Sequence, residues 1–303
     1  MKGSKNCSIE SAGGRRFVFP DFVFVERGEA ALWVERSCME QTFLDRLADA
    51  DSFFTESSCQ IVKDQRKIKV GRMTVLIAGQ PRAIYVKRYN AFSLRFKLLS
   101  SFTQSGAFRA LQGAAILRAA NIRTAPPLAA VEHRSSGVLS KSFFISQEIR
   151  GGKTADAYWR DELTGEVDRA GFKSRRRFLA KLAALFDSLH AQQIYHNDLK
   201  DANILVAGDQ SGNDFQMFLL DLEGIRRYRS LSRKRKVKNL VQLNRTLGRY
   251  LRAAEKIYFL KSYLGRGFAA RQVCRQWIDS VVNESRRLDA LKARSAARVD
   301  SHD

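Results

Sequence analysis

The chain is short of acidic residues, of cysteine and of long apolar runs, and each shortage excludes something. Among 303 residues, 31 are Asp or Glu against 53 Lys or Arg, a formal charge of +22. Such an excess predicts attraction to an anionic partner: nucleic acid, an acidic membrane face or a phosphorylated substrate. The four cysteines, Cys7, Cys38, Cys59 and Cys274, include no CxxC pair and no accompanying His cluster. That spacing argues against a zinc site, and a disulfide framework would need denser cysteine usage, so a reducing compartment fits best. Nowhere do about 18 apolar residues run together, so no spanning helix is expected. The start, Met1-Lys2-Gly3-Ser4-Lys5, has no signal-type apolar core, and the first apolar stretch, Phe17 to Val25, is broken by Pro20 and Asp21 as in a strand.

What is present divides in two. Apolar residues make up 45% of the chain, enough for a buried core. The first third reads as strand-rich. Phe22 to Val25 is aromatic and β-branched. Gln60 to Val75 reads as two strands joined by the charged stretch Lys63 to Lys67, and Gly79-Gln80-Pro81 marks a turn before Ile84-Tyr85-Val86. Helices are expected at Glu40–Ala48 and Phe108–Ala120, the second closed by Pro126-Pro127. A strand at Ser142–Ile149 then runs into Arg150-Gly151-Gly152, a natural joint. Beyond it, Phe178, Leu182, Leu185, Phe186 and Leu189 form one apolar stripe on a helix from about Ser174 to His190. A second helix is expected near Val237–Leu251, and the charged tail after Asn283 is expected to fray. The expected architecture is α+β, with a strand-rich lobe at 1–149 and a helical catalytic lobe at 150–303.

Directly after the long helix stands Tyr195-His196-Asn197-Asp198-Leu199-Lys200-Asp201-Ala202-Asn203. Phosphoryl transfer needs a carboxylate to position a hydroxyl and accept its proton, and oxygen ligands to hold Mg2+ against phosphates. Asp198 suits the first task and Asn203 the second, with Lys200 between them to neutralise the transferring group. Phe218-Leu219-Leu220 reads as a short buried strand ending in Asp221, a second candidate metal ligand. His196 reads as a packing and hydrogen-bonding group.

These residues resemble the protein-kinase signature, HRDLxxxN followed by DFG with an upstream VAIK lysine. The counterparts are His196 to Asn203, Asp221-Leu222-Glu223, and Ala83-Ile84-Tyr85-Val86-Lys87, in the same order. The departures are specific. Asn197 replaces the loop Arg, and Leu222-Glu223 replaces Phe-Gly. No GxGxxG is present, so phosphate cover is expected near Lys63–Lys67. The helix at Phe108–Ala120 has no Glu to offer Lys87, Gln112 being its nearest polar candidate. No APE-like segment follows Asp221.

The pattern is similar to the lipopolysaccharide kinases of the Kdo/heptose (WaaP-like) family. The similarity rests on Tyr85-Val86-Lys87-Arg88-Tyr89-Asn90, Asn121-Ile122-Arg123-Thr124-Ala125-Pro126-Pro127-Leu128, Ile194 to Lys200, and Lys238 to Arg245, and covers about Arg66 to Leu251. It implies a bilobal protein-kinase-like fold and a bacterial enzyme, peripheral on the cytoplasmic face of the inner membrane. It further implies transfer of the γ-phosphate of ATP, with Mg2+, to a Kdo or heptose hydroxyl of the lipopolysaccharide inner core. Asp198 would be the proton acceptor, Asn203 and Asp221 the metal ligands and Lys87 the phosphate lysine, with adenine near the backbone of Glu148 and Arg150. The basic block Arg226, Arg227, Arg229, Arg233, Lys234, Arg235, Lys236 and Lys238 would attract an anionic acceptor, or form a solvated, mobile basic loop. Two other readings stand beside this one. One is an atypical Ser/Thr protein kinase or other small-molecule phosphotransferase. The other is a non-catalytic pseudokinase or a basic nucleic-acid-binding protein, the latter resting on charge alone.

Overall fold

A computed structural model describes residues 6–10, 16–90, 104–135, 138–165, 168–208 and 214–300. The Met1–Lys5 lead-in lies outside the described residues. The chain forms two compact units. The first comprises 1–119, 124–150 and 221–225, and the second comprises 120–123, 151–220 and 226–303.

The first unit is built on eight strands: β1 (Asn6–Glu10), β2 (Arg16–Arg27), β3 (Ala30–Glu35), β4 (Gln60–Gln65), β5 (Ile68–Ile77), β6 (Gln80–Asn90), β7 (Pro127–Ser135) and β8 (Val138–Gln147). They make one antiparallel sheet in the order β1-β2-β3-β7-β8-β6-β5-β4. The charged stretch from Lys63 is therefore not a connection. Lys63 to Gln65 pair with β5, and only Arg66-Lys67 turn. Alternation explains the correction: Met73, Val75 and Ile77 are buried while Arg72, Thr74 and Leu76 between them are exposed, which commits β5 to a long ladder that draws β4 alongside.

The two faces of this sheet carry different cargo. On one, α1 (Gln41–Ala48) buries Phe43, Leu44 and Leu47 against Ile84 and Val86 of β6, with Phe53, Met73 and Phe143. On the other, α2 (Gly106–Ala119) brings Phe108 to 5.1 Å from Trp33 and 5.9 Å from Phe19, ring to ring. Because side chains alternate, burying Ile84 and Val86 under α1 puts Lys87 and Tyr89 of β6 together on the opposite face. Gly106 of α2 lies so close to Tyr89 that an added Cβ would stand 2.6 Å from the ring.

The second unit opens with β9 (Lys153–Thr154), α3 (Ala155–Leu163) and α4 (Arg169–Ala191). The Asp168 side chain caps α4 by accepting from Gly171 N at 2.7 Å. Its stripe buries Phe178, Leu182, Phe186 and Leu189, joined by Leu179 and Ala183, while Leu185 stays half-buried at the edge. After β10 (Ile194–His196) and the catalytic-type loop come β11 (Ile204–Gly208) and β12 (Phe215–Leu219), an antiparallel pair with β9 on the other side of β11. The short strand before Asp221 is only partly buried. Asn121 holds φ 53°, the left-handed region that glycine and asparagine tolerate best.

The helices α5 (Arg233–Arg245), α6 (Ala253–Leu264) and α7 (Arg271–Asp300) complete the unit. Two expectations change here. The helix expected to reach Leu251 ends at Arg245, followed by a 3-10 turn at Leu247–Arg249. The tail is helical to Asp300 and does not fray at Asn283. It is anchored on the Asn244 amide, which bonds Ser285 Oγ at 2.9 Å, and on Arg245, which pairs with Asp289 at 2.8 Å.

Candidate active site

The residues singled out from the sequence fall into two sets, one in each unit. In the first unit, Lys87 makes an ion pair with Asp221 and its Nζ lies 4.9 Å from the centroid of the Tyr89 ring. Gln112 is buried on α2, and its Nε2 has no hydrogen-bond partner among the described residues. The lysine is thus held by the Asp and an aromatic face, and the expected helix partner is replaced. Asp221 has φ 57° and ψ 55°, left-handed, and starts a 3-10 turn at Leu222–Gly224. The Tyr89 hydroxyl is held well above its usual range by burial and by the nearby charges of Glu223 and Asp221, and it is hydrogen-bonded to Glu223.

Gly113 is the least obvious member of this set. A Cβ there would lie inside the van der Waals contact of the Leu222 carbonyl oxygen. Helix α2 therefore meets the turn after Asp221 backbone to backbone, which only glycine permits. Gly113→Val is expected to displace that turn, lower stability by about 2–3 kcal/mol through overpacking, and weaken nucleotide binding. Urea unfolding with a nucleotide titration measures both. An unaltered midpoint would mean the contact is slack.

Glu148 accepts both nitrogens of Arg72 at 2.7 and 2.9 Å, and its backbone N–H is used on Ala83 O at 2.9 Å. Arg150 is exposed.

In the second unit the loop is knit around Asp198. Lys200 Nζ lies 2.7 Å from Asp198 Oδ2. Asn203 Nδ2 donates to Asp198 O at 2.8 Å and to Asp198 Oδ2 at 3.1 Å. Those bonds fix which end of the Asn203 amide is oxygen. An amide oxygen and a carboxylate are the hard donors that Mg2+ takes, so Asn203 and Asp221 each suit that ion by donor chemistry. The buried His196 accepts from Asp198 N–H at Nδ1, 3.1 Å, so its Nε2 carries the hydrogen and donates to Leu220 O at 2.9 Å. Leu220 N–H donates to Asn203 O at 2.9 Å.

Two residues of α5 complete the loop. Asn239 Nδ2 donates to His196 O at 2.6 Å. Gln242 Nε2 donates to Asn197 O at 2.7 Å, while Gln242 Oε1 accepts Leu199 N–H at 3.0 Å. The sequence signal for them was slight: two amides three residues apart on an otherwise apolar helix stripe with Leu240 and Leu243. Behind them, His190 Nε2 is 3.2 Å from Asn239 Oδ1, and Nδ1 is 2.8 Å from the Tyr263 hydroxyl. Burial pushes the His190 imidazole down to about 4; the Asn239 hydrogen bond opposes that, and Lys236 adds to it. With the folded value below the unfolded one, the stabilisation is complete above about pH 6.5 and is lost as pH falls toward 4. That loss amounts to about 3 kcal/mol. Urea unfolding against pH, compared with His190→Gln, measures it; parallel curves would contradict the burial.

The basic block is ordered. Tyr228 N and Leu231 N bond Gln193, Arg235 lies 4.0 Å from the Tyr228 ring, Arg233 lies 5.0 Å from the Trp277 ring, and α5 begins at Arg233. Arg226 and Arg227 lie in a strand, Ile225–Arg227, and Arg233 to Lys238 lie in α5, so most of the block is regular structure and not loop.

A family model described as the lipopolysaccharide kinase (Kdo/WaaP) family matches residues 54–263. A curated relative, CBL-interacting protein kinase 20 of Oryza sativa subsp. japonica, is 32% identical over 89 residues, 29% of this chain and 18% of that protein. The chain thus spans less than a fifth of the curated relative it matches. A solved structure, WaaP in complex with acyl carrier protein, superposes with a TM-score of 0.54 at 18% identity, covering 80% of this chain and 97% of that one, a likeness of fold.

Proposed function

The chain belongs to the lipopolysaccharide kinase (Kdo/WaaP) family, and from that premise we propose that it transfers the γ-phosphate of ATP to a Kdo or heptose hydroxyl of the lipopolysaccharide inner core. The fold is α+β and protein-kinase-like, and we take residues 1–149 and 150–303 as its two lobes. The observation that carries the reading is the Asp198 carboxylate, half-exposed and held by Lys200 and Asn203 in a loop pinned on both sides.

In this reading Asp198 orients the acceptor hydroxyl and takes its proton as the oxygen attacks phosphorus and ADP leaves. Lys200 neutralises charge on the transferring group. Lys87 exchanges its Asp221 partner for phosphate oxygens. Asn203 and Asp221 would hold Mg2+, which when bound neutralises the phosphates. Asp221 follows directly on Leu220, which both Asn203 and His196 bond. The backbone near Glu148 and Arg150 would receive adenine.

The anionic acceptor is supported by the first turn of α5, where Arg233, Lys234, Arg235 and Lys236 stand with no acidic residue. Cations there oppose the helix dipole and cost about 0.3–1 kcal/mol each. The double variant Lys234→Gln, Lys236→Gln is expected to raise stability slightly yet raise the acceptor KM about tenfold, with a weaker salt dependence. An unchanged KM would leave the block without a docking role.

No helix among the described residues is long and apolar enough to cross a membrane. Peripheral attachment to the cytoplasmic face of the inner membrane is supported by exposed Phe172, Tyr250 and Ile257, each with a basic residue within three positions along the chain, among them Arg169, Lys173, Arg252 and Lys256. The matched WaaP was solved with acyl carrier protein, and the same basic surface makes a protein partner of that kind a second reading, checked by co-purification.

The deciding experiment incubates the protein with Mg-ATP and core oligosaccharide, or with a generic protein substrate, and measures mass. One added phosphate on the sugar is expected. Phosphate on protein alone would favour an atypical protein kinase. Absence of transfer with no thermal stabilisation by Mg-ATP would favour a non-catalytic protein.

A further inference from the structure

The backbone around Asp198 is held by groups whose polarity allows only one arrangement. The carbonyls of His196 and Asn197 can only accept, and the Leu199 N–H can only donate. Asn239 must therefore turn its NH2 to His196 O, which also places that NH2 3.0 Å from Gln242 Oε1. Gln242 must turn its oxygen to Leu199 N–H and its NH2 to Asn197 O.

Asn239 Oδ1 is then left facing His190, so His190 Nε2 carries the hydrogen. Its Nδ1 is consequently the acceptor, and the Tyr263 hydroxyl donates. All of these side chains lie in the second unit. His190 and Asn239 are buried to 1% and 0% exposure.

We propose that His190 and Tyr263 are positioning residues for the catalytic loop: together they lock the Asn239 amide against the flip that would set its oxygen against the His196 carbonyl. Tyr263 is placed for this by its own packing, stacked on Phe259 at 6.5 Å and edge-on to Trp277 at 5.8 Å. Flipping the amide would lose the His196 bond, leave the His190 N–H facing an NH2 and turn Asn239 oxygen against Gln242 oxygen. With Tyr263 and His190 intact the flip also sets two N–H groups against each other, and without them only His196 O and Gln242 Oε1 oppose it, so the flipped state gains population. Among the described residues neither side chain is hydrogen-bonded to the loop, and Asn239 is the link between them.

The inference rests on the phosphotransfer reading for its kinetic arm, and its structural arm is independent of that reading. In the full chain, 15N side-chain spectra are expected to show His190 as the neutral Nε2–H tautomer. Tyr263→Phe removes one hydroxyl and keeps the ring packing. It is expected to speed hydrogen exchange of the Leu199 amide about tenfold and to lower kcat about fivefold with Mg-ATP affinity unchanged. His190→Gln retains a donor toward Asn239 and should stay near wild type, whereas His190→Leu should lose more than Tyr263→Phe. An Nδ1–H tautomer would overturn the relay. So would wild-type exchange and kcat in Tyr263→Phe and His190→Leu, or a loss of melting temperature unaccompanied by any change at Leu199. If the wild-type protein transfers no phosphate, the kinase reading fails, while the tautomer and the Leu199 exchange still decide the relay.

Discussion

Asp198→Asn is expected to lower kcat for phosphate transfer by about 10^2–10^4-fold, the range for removing a general base. Mg-ATP affinity should change by about twofold or less, because the lost interaction acts on the acceptor hydroxyl in the transition state. The variant is nearly isosteric. An amide oxygen still accepts from Lys200 or Asn203, and the Asn203 bond to the residue 198 carbonyl is untouched. Asn cannot take a proton. Single-turnover transfer and calorimetric titration of nucleotide separate the two quantities. Transfer above about a tenth of the wild-type rate would remove Asp198 from the chemistry.

Asp221→Asn is expected to act on binding. Mg-dependent nucleotide affinity should fall about 100-fold, as for a lost carboxylate ligand to a hard cation. Affinity measured without Mg2+ should hold steady or rise, because Lys87 is then no longer engaged by the carboxylate and is available to phosphate. The fold should survive. The Lys87 and Asp221 side chains keep 20% and 31% of their exposure, so solvent screening limits the pair to roughly 1 kcal/mol or less. Nucleotide titrations with and without Mg2+ give the ratio directly. An equal ratio in both proteins would contradict the metal assignment, and equal loss in both conditions would indicate a misfolded turn.

The candidate site was legible where it is compressed into one stretch of chain. Asp198, Lys200 and Asn203 stand within a single loop, so the sequence already kept them together, and a helix stripe before it and a strand after it set the frame, while the bonds among them came from the structure. Lys87 was legible as a strand lysine, but its partner was not. The resembling signature carries an acid for that lysine on a helix, and the helix at 106–119 has none. Here Asp221, from 134 positions further on, and Tyr89 take that place. Gly113 gave no motif at all. Its meaning is a close approach of two backbones, visible only once the turn at Leu222 lies against the helix.

The element boundaries that went wrong did so for a common reason. Lys63 to Gln65 and the tail after Asn283 are polar by composition, which reads as loop. Partners made them regular: β5 supplies a ladder to the first, and Asn244 and Arg245 hold the second as helix. Polarity records which atoms could face water and leaves open whether the backbone finds a neighbour.

By itself the sequence determined that Asp198, Lys200 and Asn203 stand at spacings that local geometry can bring together. It also determined the strong positive charge, which no folding alters. Tertiary structure alone decided how the loop is held: Asn239, Gln242, His190 and Tyr263 lie up to 67 positions from His196, and hydrogen bonds between their amides, ring and hydroxyl exist only after three helices have packed. Spacing along a chain constrains groups a few bonds apart, whereas bonds between distant elements depend on which apolar faces close together first.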